Sequence, residues 1–149
     1  MDAKAVLEEF IDRYQASVAA DARRALAALH QRLPSATRLV YDNYNALVVG
    51  FATTDRAGDA IFSIALYPRY VRLFFLRGTI VPDPHGLLEG TGSRVRSLKL
   101  DPVSKLESQE IGAMIDAAIA NAAPLAEAGE GRLIIKSVSA KQRPRRPKS

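Results

Sequence analysis

The sequence has no cysteine, no tryptophan and two histidines, and only 7% of its 149 residues are aromatic. Without cysteine there is no disulfide, zinc–thiolate site, iron–sulfur cluster or thiol nucleophile. Long apolar runs are missing too: the longest, such as 46–52, are strand-sized, well short of the roughly 18–20 residues a membrane span needs. Asp2, Glu8, Glu9 and Asp12 near the start give the wrong charge pattern for a secretory signal or an acid-poor transit peptide. The expectation is a cytoplasmic protein with no membrane partner. No serine sits in a Gly-x-Ser-x-Gly setting, so Ser63, Ser93 and Ser97 suggest no nucleophilic triad, and no catalytic residue is assigned.

What remains is an ordinary globular composition, 48% hydrophobic and 25% charged. A chain of this length buries about 68–70% of its unfolded surface, enough for one core. The net charge of +5 is unevenly spread: residues 132–149 hold seven bases and no acid, while 1–131 hold 14 bases and 16 acids. Residues 140–149 combine charge with two prolines and almost nothing apolar, so burial offsets little of their ordering entropy. The sequence therefore divides into a domain, 1–139, and a basic tail, 140–149, expected to be disordered.

Val6, Leu7, Phe10, Ile11 and Tyr14 recur at helical spacing, as do Ala22, Ala25, Leu26, Leu29 and Leu33. These are two amphipathic helices, with Asp21 the candidate N-cap of the second and Pro34 its stop. From Thr37 the period becomes 2, through Leu39 and Tyr41, then Leu47, Val49 and Phe51, then Phe62, Ile64 and Leu66, then Val71, Leu73 and Phe75. The connections are too short for crossover helices, so these strands form an antiparallel meander. Residues 78–92 make a long connection, in which Leu87-Leu88-Glu89 has the length of one helical turn, and 95–100 read as a fifth strand. Ser108 caps a last helix with the stripe Ile111, Met114, Ile115, Ala118 and Ile119, closed by Pro124. Residues 132–138 fit a short strand or an extended segment docked on a helix. The class is α+β: two layers, a meander of about five strands with the helices packed on one face. The opposite face, with Phe74 and Leu76, is a candidate surface for a ligand or a second copy in a homodimer.

The segment Tyr70-Val-Arg-Leu-Phe-Phe-Leu-Arg-Gly78, followed by Leu87-Leu-Glu-Gly-Thr-Gly92 and Val95-Arg-Ser-Leu-Lys-Leu100, resembles the core pattern of the YdhG-like bacterial domains of unknown function. The similarity runs through about residues 4–122 in element order. It implies a frataxin-like α+β fold and, from members described as intracellular iron chaperones, a non-enzymatic ligand- or metal-binding role in which iron is the candidate cofactor. Where many relatives carry Trp-Gly-Pro at the first strand, this chain has Leu39-Val-Tyr-Asp-Asn-Tyr-Asn45, which implies a different pocket. No metal ligand is carried over by the resemblance.

Hard cations prefer oxygen ligands, and Glu8, Glu9 and Asp12 lie on one helix; acids near a helix N-terminus also simply stabilise it. His30 falls near a helix C-terminus, where a partial cation is favourable. His85 sits in Pro82-Asp-Pro-His-Gly86 on the long loop, where functional residues concentrate, although turn structure explains it equally. Gly86, Gly90 and Gly92 followed by Arg94 and Arg96 have the chemistry of an anion cradle, without the spacing of a P-loop. Tyr41 and Asn43, beside Tyr44 and Asn45, can line a small-molecule site or merely end a strand. Tyr41, Asn43, His85, Arg94 and Arg96 are thus the candidate ligand-binding set, and Glu8, Glu9 and Asp12 the candidate metal set. The alternative function is a nucleic-acid accessory role, with Arg143, Arg145 and Arg146 holding phosphates through salt-sensitive contacts.

Overall fold

The structure, a computed structural model, describes residues 1–123 and 131–148. Helix α1 (Ala3–Asp12) starts where the Asp2 carboxylate accepts the Ala5 N–H at 2.8 Å. Helix α2 (Ala16–Arg32) follows and ends at Leu33, before Pro34. The break between them lies at 13–15 instead of at Asp21, which is inside α2. Tyr14 causes it: its buried hydroxyl donates to Leu66 O and accepts the Leu47 N–H, each at 3.1 Å, so the chain turns where this side chain plugs into the sheet. Burial outweighs the nearby Arg145 charge and pushes the Tyr14 pKa up.

Strands β1 (Thr37–Asp42), β2 (Leu47–Ala52), β3 (Ala60–Leu66), β4 (Val71–Phe75) and β5 (Arg96–Lys99) form the expected meander, each antiparallel to the next. Helix α3 (Gln109–Ala120) begins at Ser108, whose hydroxyl accepts the Ile111 N–H at 3.2 Å. The chain then crosses to the far edge and adds β6 (Leu133–Val138) parallel to β1, so the order is β5-β4-β3-β2-β1-β6. The α+β class stands, but the five-strand meander is corrected to a six-stranded mixed sheet. The α3 passage supplies the crossover that a parallel pair requires.

One core joins Leu7, Ile11, Ala25, Leu29, Met114 and Ile115 of the helices to Val40, Val49, Phe51, Phe62, Ile64, Leu73 and Phe75 of the sheet. By register these sheet residues share one face, so the helices cover that face. On β1 the inward positions are Arg38, Val40 and Asp42, not Leu39 and Tyr41. Period-2 spacing left the facing undecided because both faces of β1 carry apolar side chains. Gly50, Ser63, Ala65 and Phe74 fall on the opposite face.

The described part of the tail packs against the end of β1. Arg145 is 7% exposed and its Nη2 donates to Asp42 Oδ1 at 2.9 Å. Ser139 N–H and the Gln142 amide donate to Asp42 O, and Arg143 N–H to Tyr44 O at 2.9 Å. The expectation of disorder counted apolar burial alone. The segment is instead held by charge-assisted hydrogen bonds to the end of β1.

Candidate functional site

The connection from β4 to β5 builds the largest groove described. After Phe75 a 3-10 turn, Gly78–Ile80, redirects the chain, and Asp83-Pro-His-Gly86 forms a tight turn with Gly86 N–H bonded to Asp83 O at 3.2 Å. Gly86 has φ +63°, a left-handed conformation that glycine adopts without strain. The Asp83 carboxylate accepts the N–H groups of Leu87 at 2.8 Å and Leu88 at 2.9 Å. Leu87-Leu88-Glu89 is therefore not a helical turn. The chain extends, and Glu89 pairs antiparallel with Ser97 of β5 through two backbone bonds.

Between this segment, β5, the cis Asp101–Pro102 turn and the start of α3 lies an open groove of about 610 Å³. Leu87, Leu98 and Ile111 give it apolar surface, and His85, Asp101, Lys105 and Glu110 give it polar groups. The volume falls within the roughly 300–1,000 Å³ of small-ligand sites. Asp101, Lys105 and Glu110 form no ion pair among the described residues. Glu89 is engaged on Arg72, which also donates to Ser97 Oγ at 2.9 Å. Lys99 Nζ sits 4.6 Å from the Tyr70 ring centre, and Tyr70 stacks on Tyr67. Burial, then the neighbouring Tyr70, raises the Tyr67 pKa. A second cavity, near Phe75, Ile80 and Ala118, measures about 50 Å³, room for a water or two at about 30 Å³ each.

Of the candidate ligand-binding set, only His85 borders this groove. Tyr41 and Asn43 lie at the end of β1, four strands from β5, a separation of about 19 Å at 4.8 Å per strand. The five candidate residues therefore do not share one site. The Tyr41 hydroxyl is buried with no partner among the described residues, and desolvation raises its pKa. Arg96 Nη1 donates to the carbonyls of Gly92 and Val95 and ties its own loop together. Arg94 is exposed.

The candidate metal set is also corrected. Arg23 of α2 donates to Glu8 Oε2 at 2.9 Å and to Asp12 Oδ1 at 2.6 Å, engaging both carboxylates with one guanidinium. Among the described residues no cluster of three or more metal-capable side chains exists. The helix hairpin brings Arg23 onto Glu8 and Asp12. Burial first, then the Arg38 charge, lowers the His30 pKa, which disfavours its cationic form.

The nucleic-acid set is largely occupied by the protein itself. Arg145 is buried on Asp42, Arg146 Nε donates to Arg13 O at 3.1 Å, and Arg143 lies 5.6 Å from the Tyr44 ring centre. Arg145 is thereby withdrawn from any phosphate.

Two functional features were missed from sequence. Asp42 is an acid on the inward face of a buried strand, which by itself demands a countercharge. Asp83 opens a Pro-containing turn three residues before a glycine, a pattern in which the carboxylate captures later N–H groups.

The fold and groove define a mixed-sheet α+β protein with an open cleft along one sheet edge. No family model, curated protein or solved structure matches the chain. No helix among the described residues is long and apolar enough to cross a membrane.

Proposed function

We propose that this chain is a non-enzymatic binding protein of the YdhG-like kind, and that it takes its ligand in the groove beside β5. The observation that carries this reading is the lining: apolar Leu87, Leu98 and Ile111 stand beside Asp101, Lys105 and Glu110, whose charges are not spent on ion pairs among the described residues. Apolar surface supplies affinity, and a few polar groups set orientation. Iron is not carried into the proposal, since Arg23 holds Glu8 and Asp12.

The test is an NMR titration with a set of small amphipathic amines and carboxylates at millimolar concentration, where Kd values of about 1 mM are measurable. Resonances of Leu87, Lys99 and Ile111 are expected to move together, with Tyr41 and Asn43 unmoved. Shifts that cluster elsewhere, or none from any fragment, would overturn the proposal.

A further inference from the structure

In an antiparallel ladder, backbone groups of alternate residues point to the same edge. Just past β5, Leu100 N–H donates inward to Val71 O at 3.0 Å, while Ser97 of β5 exchanges two bonds with Glu89 on the outer side, at 2.8 and 2.9 Å. Lys99, two residues beyond Ser97, therefore directs its N–H and C=O outward as well. Its natural partner would be Leu87, two residues before Glu89. Asp83 has taken the Leu87 and Leu88 N–H groups, so the added strand ends after one bridge. The β4–β5 register turns the Lys99 N–H and C=O away from β4, and among the described residues no backbone group outside the sheet ladder bonds either of them. This unpaired donor and acceptor belong to a residue that lines the groove.

We propose that the occupant of the groove is an extended peptide segment of a partner protein, which adds alongside β5 and pairs with the Lys99 backbone. The inference rests on reading the groove as the binding site and names what enters it. A backbone donor and acceptor on one strand edge match the spacing of another strand, and adjacent side-chain contacts then choose the sequence. An apolar side chain of the segment packs against Leu87, Leu98 and Ile111. A basic side chain meets Asp101 and Glu110, carboxylates without an ion-pair partner among the described residues; of the two lysines lining the groove, Lys99 holds its ammonium over the Tyr70 ring. The opposite edge, β6, is exposed from Lys136 to Val138 and carries Lys136, a charged edge residue of the type that discourages strand addition.

The probes are a capped eight-residue peptide alternating valine and lysine, its valine–glutamate counterpart, and a fully N-methylated valine–lysine peptide that cannot form a ladder. With the first, the Lys99 amide resonance is expected to move downfield and its hydrogen exchange to slow by at least about tenfold. The other two are expected to bind at least about tenfold more weakly, a clear margin in Kd. Glu110→Gln, at an exposed position in the first turn of α3, is expected to weaken the valine–lysine peptide about threefold, with the melting temperature lowered only by the small loss of its interaction with the helix dipole. Equal binding of the N-methylated peptide, or Lys99 exchange unaltered at saturation, overturns strand addition. If Leu87 and Ile111 resonances still respond to small fragments, the groove remains a ligand site and only the peptide inference falls. If neither peptides nor fragments move them, both fall. Valine–glutamate binding as tightly as valine–lysine overturns the basic-partner assignment.

Discussion

Arg145→Ala is expected to destabilise the protein by about 3 kcal/mol, the lower end of the cost of orphaning one member of a buried ion pair. The Asp42 side chain is 2% exposed and that of Arg145 6%, so neither charge is solvated by water. Arg145 also donates to the carbonyls of Asn43 and Tyr44, and its guanidinium lies 5.8 Å from the Tyr14 ring centre. Without it, Asp42 keeps only the half-exposed Arg13, at 3.3 Å, as a cationic partner among the described residues, which is why the lower end applies. For a chain of this size 3 kcal/mol corresponds to a fall in Tm of about 6–12 °C. The Asp42→Leu/Arg145→Leu double variant is expected to recover part of the loss, because two apolar groups leave no buried charge. Thermal unfolding of the three variants checks this. A change within about 0.5 kcal/mol for Arg145→Ala, the size seen at exposed surface positions, would contradict a docked C-terminal segment.

Gly78→Ala is expected to cost about 3 kcal/mol or more, at or above the usual range for overpacking. A Cβ on Gly78 would meet the backbone of Arg96, with N at 2.6 Å and Cα at 2.9 Å, as well as the Arg96 Cβ. No rotamer relieves a clash with main chain, so β5 itself must shift. The variant is therefore expected to lose the Glu89–Ser97 bridge along with stability, visible as fast exchange at the Ser97 amide. Gly58→Ala is the control: nothing lies within 4 Å of its Cβ, so stability is expected to hold or to rise by up to about 1 kcal/mol through reduced unfolded-state entropy. Chemical denaturation of both variants measures the difference. Equal stabilities would mean that Gly78 and Arg96 are not in contact.

Much of the fold is legible in the sequence because its elements are local. The Ser108 cap, the Pro34 stop and the period-2 runs from β1 to β4 each depend on residues a few positions apart. The features that were not legible are long-range. Val40 and Ile135 pair in parallel across 95 residues of chain, and a short alternating run cannot declare which edge it joins. Asp42 and Arg145 are 103 positions apart, so the basic tail looks like solvated charge until its countercharge is seen beneath it. Glu8 and Asp12 look like free carboxylates until the helix hairpin delivers Arg23. At the groove, His85 was legible as a loop residue. The open edge was not, because it consists of Lys99 backbone groups, which every residue type except proline possesses.

The account depends most on the strand that Glu89 begins and Asp83 cuts short, leaving one span of the β5 edge bare. Residue-resolved amide hydrogen exchange of the free protein measures this directly. Ser97, bonded to Glu89, and Leu100, bonded to Val71, are expected to be protected, while Lys99 between them exchanges near the rate of an unstructured amide. Protection at Lys99 equal to that of its two neighbours would show that the edge is already filled.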